Sequence, residues 1–227
     1  MRDRDPLTAL ADESRTLSAL LRRLSAADFE RLTNCPPWNL NELVVHIAAS
    51  IRLDDDALLA APPGSVLMTA ADYYRRPERD TSEYRQRNVD QTRQLARRIL
   101  ARTSAARFFD EVASDTLDTL GRRDLGQPVQ VPGRGPMKLA DWVVTRVVSV
   151  AAHGLDVALT VNLPPRTRRS ALDVMHPMLV SLLGAEPPAQ LGWDAQTLLE
   201  VGTGRRELTS DERAILGIAQ ARFPLLS

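Results

Sequence analysis

Cysteine is close to absent from this 227-residue sequence. Cys35 stands alone, so no internal disulfide can form, and a reducing, cytoplasmic setting is expected. Lysine is equally scarce: Lys138 is the only one, and every other basic side chain is arginine. With abundant alanine, that is the composition of a high-GC genome. Net charge is missing too, since 29 basic residues balance 29 acidic ones. A balanced chain offers no basic face for nucleic acid and no acidic tail. No uninterrupted run reaches the roughly 18 apolar residues of a membrane span. The opening MRDRDPLTAL has charges but no apolar core of the signal-peptide kind. Internal repeats and low-complexity tracts are lacking. What remains is ordinary for a soluble globular chain: 44% hydrophobic and 26% charged, enough for one large domain or a domain with an appendage.

The patterning is helical. Leu10, Leu17, Leu20, Leu21 and Leu24 form a stripe over 6–24, with Pro6 suited to a first turn. A turn of helix at 26–31 follows. Asn39 with Glu42 three residues on reads as a capping box, and the helix it opens is expected to run to about Ala60, where Pro62-Pro63-Gly64 stops it. A short helix carrying Tyr73 and Tyr74 is expected within 65–77, then helices over 80–102 and 105–120. Residues 127–136 are a Pro/Gly connection with room for a brief extended pair. A long apolar helix over 138–161 comes next, interrupted only by Gly154, which one tertiary contact could excuse. Three shorter helical pieces, about 168–183, 194–202 and 210–221, close the chain, the last capped by Thr209 or Ser210. The fold class is therefore all-α: a bundle over residues 1–163 and a helical extension over 164–227, too poor in aromatics to form its own core.

The helix at 138–161 has two characters. Leu139, Val143, Val147, Val150 and Val157 are apolar, while Trp142, Arg146, Ser149, His153, Asp156 and Thr160 recur at steps of four and three and make a polar stripe. Buried polar groups need partners, a ligand or a metal. The chain has three histidines: His46, His153 and His176. Two on different helices of one bundle can share a metal, although each can equally be a core or surface histidine with one hydrogen bond. Cys35 in its turn reads as structural, with Trp38 as anchor. Asp54-Asp55-Asp56 reads as a solvated face, Gly133-Arg134-Gly135 is too short for a phosphate loop, and Gly202-Thr203-Gly204 reads as a helix stop.

The stretches TNCPPWNLNELVVHIAAS (33–50) and RVVSVAAHGLDVAL (146–159) resemble the mycothiol-dependent maleylpyruvate isomerase family of the DinB-like superfamily. The ending from Leu191 is similar to actinobacterial members. The resemblance implies a DinB-like four-helix bundle and a metal set, zinc by expectation. His46 and His153 would be ligands, and the family's glutamate falls where this chain has Ser149. Serine is a poor ligand for a divalent ion, so Asp156, one turn beyond His153, is the expected substitute. The resemblance also implies mycothiol as thiol cosubstrate, with Trp142 as its contact, and a thiolate attacking a small electrophile in isomerisation or S-transfer. Arg146 and Arg87, with Arg85 beside it, are the candidate anchors for an anionic substrate. The expected partner is thus a small molecule, with no nucleic acid and no membrane, and the protein a monomer or homodimer. Two other readings stand beside the enzyme. One is a metal-free small-molecule-binding protein, degenerate because Ser149 replaces the glutamate; the other is an interaction module with a filled interior.

Overall fold

The structure, a computed structural model, describes residues 5–53, 58–75 and 81–226. Helix α1 (Pro6–Leu21) opens under an Asp5 cap whose carboxylate accepts the Leu7 and Thr8 N–H groups. A single turn, α2 (Ala26–Phe29), leads to α3 (Leu40–Ile51), where the Asn39/Glu42 capping box forms as its spacing predicts. Helix α3 does not reach Ala60. Arg52 leaves helical geometry (ψ 130°), and Leu59–Ala60 is a strand, β1. By sequence, three successive aspartates are weak helix formers, and acidic side chains are unfavourable near a helix C-terminus. Asp54, Asp55 and Asp56 themselves lie outside the described residues, as does Asp80.

After α4 (Ala70–Tyr74) come α5 (Ser82–Leu100), capped by Thr81, and α6 (Ala105–Gly121), capped by Ser104. The extended pair is real: β2 (Pro128–Val131) and β3 (Gly135–Lys138) form an antiparallel hairpin, with Val129 opposite Met137. Strand β1 joins its open edge, Leu59 opposite Gln130, giving a three-stranded sheet that an all-α expectation omits. The chain is nonetheless mostly helical.

Helix α7 (Leu139–Thr160) lies at the centre, packed against α1, α3 and α8 (Arg169–Leu183). It is long and apolar enough to cross a bilayer, yet 67% of its most apolar window is buried inside the protein, which makes it a core helix here. Helices α1, α3, α6 and α7 enclose the main core, from Leu10 and Leu21 through Leu43, Ile47 and Phe109 to Val143 and Val147. Helix α5 packs on the outer side of α3, with Thr92 and Ala96 buried. No side chain crowds Gly154: a Cβ there would meet nothing within 4 Å, so the expected tertiary contact is not what the glycine serves.

The last third of the chain is tied to α1 and α7. Helix α8 has no capping side chain of its own; the Arg168 N–H donates instead to the buried Glu13 carboxyl of α1. Helix α9 (Ala195–Gly202) packs on α8, and α10 (Ser210–Leu216) carries a Thr209/Glu212 capping box. Val201, Leu208 and Leu216 form a small second cluster with Trp193 and Phe223.

Candidate active site

Helices α3 and α7 pack directly, and that crossing brings the two histidines together. The His46 and His153 rings stand edge to face, with centroids 5.2 Å apart. Trp38, at the start of α3, lies against the other side of His46 with ring centroids 4.5 Å apart. Thr92 of α5 reaches the His46 Nδ1 at 3.3 Å. The polar stripe of α7 therefore does turn inward, and its deepest member, Asp156, is fully buried.

Asp156 is the hub. His153, one turn back on the same face, sets Nδ1 2.9 Å from Oδ2. The Cys35 thiol donates to the same oxygen at 3.0 Å. Arg205, from the turn after α9, grips both carboxylate oxygens, Nε to Oδ1 at 3.1 Å and Nη2 to Oδ2 at 2.6 Å, and its Nη1 donates to the Thr203 carbonyl at 2.8 Å. Burial by itself would raise the Asp156 pKa. The hydrogen bonds from His153 and Arg205, with the Arg205 charge, outweigh it and hold the carboxyl well below the usual range. An ionised Asp156 has no proton to donate, so the proton of the 2.9 Å contact sits on His153 Nδ1 and leaves Nε2 as the basic nitrogen. The carboxylate thus fixes the tautomer, as an outer-shell partner does for a ligand or base. Cys35 responds oppositely: burial, then the neighbouring Asp156 charge, push its thiol up to about 12. It is a hydrogen-bond donor in this site and not a thiolate.

Two cavities meet at the histidine pair. The larger, about 650 Å³, runs past Cys35, Pro36, Trp38 and Pro224; the smaller, about 310 Å³, is lined by Ser50, Tyr73, Tyr74, Arg146 and Ser149. His46, His153 and Arg205 border both. Arg146 spans the wall of the smaller one, donating to the Ser50 carbonyl, to Thr145 Oγ1 and, at 3.0 Å, to Tyr73 Oη. It lies over the Trp142 ring, 4.9 Å from the centroid. Trp142 is buried beneath it and lines neither cavity, so it does not face the space where a cosubstrate contact was expected. Arg87 is exposed on the outer face of α5 and lines neither cavity; Arg85 borders the larger one. His176 is on α8, 3.8 Å from Glu186, and does not join the pair. Cys35 and Arg205 had no part in the expected site. Only the chain path could reveal them, since Cys35 lies 121 residues from Asp156 in sequence and Arg205 lies 49.

Among the described residues, Cys35, His153 and Asp156 place ligand-type atoms within 4.8 Å of one another, a grouping of the kind that holds a metal ion. A divalent metal there would supply a Lewis acid that lowers the pKa of a bound thiol. The donor chemistry does not fit a resident ion. Asp156, the expected substitute ligand, already has both oxygens committed to Arg205. Arg205 Nη2 also lies 3.4 Å from His153 Nδ1. The Arg205 guanidinium, paired with the Asp156 carboxylate, already supplies the positive charge there and repels a second cation. Position 149 is no help, because the Ser149 hydroxyl is paired with Ser50 Oγ at 2.6 Å.

The fold and site define a helical protein with an interior His–Asp–Arg cluster opening on two cavities, a framework for handling small molecules. The chain belongs to the mycothiol maleylpyruvate isomerase N-terminal domain family, whose model matches residues 10–158. A solved structure of a histidine-to-alanine mutant of mycothiol-dependent maleylpyruvate isomerase is similar over 82% of this chain and 70% of that one, at 11% identity and a TM-score of 0.46. No curated protein matches the sequence significantly. Arg205 falls outside the matched residues.

Proposed function

We propose that this protein is a mycothiol-dependent isomerase or S-transferase acting on a small electrophile in the cytoplasm. Family membership supports the thiol, and one observation carries the rest: two cavities of unequal size share the wall that holds His46 and His153. The larger takes the thiol cosubstrate, its body against Trp38, Pro36 and Pro224. The smaller, rich in hydroxyl groups, takes the electrophile beside Arg146. His153 Nε2 accepts the thiol proton, held in that role by the Nδ1–H bond to Asp156. The thiolate then adds to an electrophilic carbon of the substrate. In isomerisation, addition converts a carbon–carbon double bond to a single bond, rotation follows, and expulsion of the thiolate restores the double bond and returns the proton. In S-transfer, a leaving group departs with that proton instead.

Calorimetric titration with mycothiol, followed by assay with maleylpyruvate as the first electrophile, tests this reading. Binding that weakens with Trp38→Ala, and turnover that is lost with His153→Ala, are the expected results. Mycothiol binding without turnover of maleylpyruvate or other small electrophiles favours a binding protein on the same scaffold, for which Ser149 in place of a carboxylate argues. Absence of mycothiol binding refutes the proposal.

A further inference from the structure

We propose that this site works without a divalent metal and that Arg205 is its resident cation. The inference rests on the donor groups in this chain and stands whether or not the thiol-dependent reading does.

Five side chains are the candidate ligands, His46, His153, Ser149, Asp156 and Cys35, and the local bonding of the last three opposes ligation. At the position where the family resemblance calls for a glutamate, the Ser149 hydroxyl is 2.6 Å from Ser50 Oγ. Ser50 spends its own proton on the Ile47 carbonyl at 2.7 Å, so Ser149 is the donor of the pair. A neutral hydroxyl with its proton committed to a neighbour brings no charge to an ion. Among the described residues Asp156 is the one buried carboxylate beside the histidines, and Arg205 holds both of its oxygens. Cys35 donates its thiol proton to that same carboxylate. To ligate, it would have to lose the proton next to an existing negative charge. What is left is the imidazole pair, short of the three protein ligands that catalytic zinc sites use.

Arg205 is also built into place. It follows Gly204, whose φ of +73° is open to glycine at no steric cost, and Pro224 Cβ lies only 3.4 Å from where a side chain would begin. The Arg205 N–H is tied back to the Glu200 carbonyl at 2.8 Å, and the side chain is only 15% exposed. A cation delivered by its own turn, paired with a buried carboxylate and set beside His153, fills the electrostatic role a metal would otherwise have.

Zinc is the probe, and binding is the readout. The full chain is dialysed against a chelator and titrated with zinc alone by calorimetry, while metal content is measured on protein purified from zinc-supplemented cells. The expected result is less than stoichiometric metal on purification and a weak zinc affinity. Restoring the acid with Ser149→Glu is expected to raise that affinity roughly tenfold or more, a change that even an outer-shell partner produces. Removing the competing cation with Arg205→Met is expected to raise it as well, by releasing Asp156. One zinc per chain retained by the unaltered protein, and lost in His153→Ala, overturns the proposal. So does an affinity unmoved by Arg205→Met in a variant whose circular dichroism matches the parent. The titration of the unaltered chain decides the main point even if neither variant folds.

Discussion

Replacing Asp156 with asparagine is the most informative single change to the fold. The side chain is almost isosteric, so packing is kept while the charge is removed. Arg205 then stays buried, at 15% side-chain exposure, with no counter-ion on its Nε and Nη2. Removing one partner of a buried pair costs about 3–5 kcal/mol, mostly from the charge left behind. For a chain of this length each kcal/mol lowers Tm by roughly 2–4 °C, so the loss is about 6–20 °C. Denaturant unfolding at pH 7 with a shared m-value measures it directly. The pH dependence carries a second signature. Because the folded carboxyl is held below its unfolded value, its contribution is fully present above about pH 4 and is lost as pH falls toward the folded pKa. Asp156→Asn removes that part of the acid limb. A double variant with Arg205→Met should be less damaging than the sum of the two single changes. A loss below about 1 kcal/mol, or strict additivity, means that the pair is solvated and that the account of the site is wrong.

Glu13 titrates in the opposite sense. Burial raises its folded pKa to about 7, despite the hydrogen bond from Arg168 N–H. Between about pH 4.5 and 7 the folded chain keeps a proton that the unfolded chain has lost, so stability falls with rising pH, by about 3 kcal/mol in all. Glu13→Gln should flatten that slope in a pH series of unfolding curves, and an unchanged slope refutes the assignment. Gly154→Ala meets no neighbour and lies within α7, so it should stabilise by about 0.5–1 kcal/mol in thermal unfolding. Destabilisation would show that the helix has no room there.

The legible part of this protein is local. The Asn39/Glu42 capping box could be read because a cap needs only residues three apart; for the last helix the sequence leaves Thr209 and Ser210 both as candidates, and Thr209 is the cap, boxed with Glu212. The polar stripe of α7 could be read because helical spacing alone puts His153 and Asp156 on one face. The end of α3 was not legible. No glycine or proline stands between Pro37 and Pro62, and the strand that replaces the last turns pairs with the edge that β2 offers. Arg87 illustrates the same limit: its type suits an anion contact, but the rotation of α5 on α3 turns it outward.

Taken by itself, the sequence determined where the long helices lie, the Asn39 cap and the two histidine-bearing segments, because these follow from short-range spacing and from side-chain type. Tertiary structure decided what surrounds the histidines. Packing of α7 against α3 set the rings 5.2 Å apart, and the turn after α9 returned Arg205 to Asp156. Whether a buried carboxylate faces a metal, a thiol or a guanidinium depends on which distant groups share its low-dielectric pocket. No spacing along the chain encodes that.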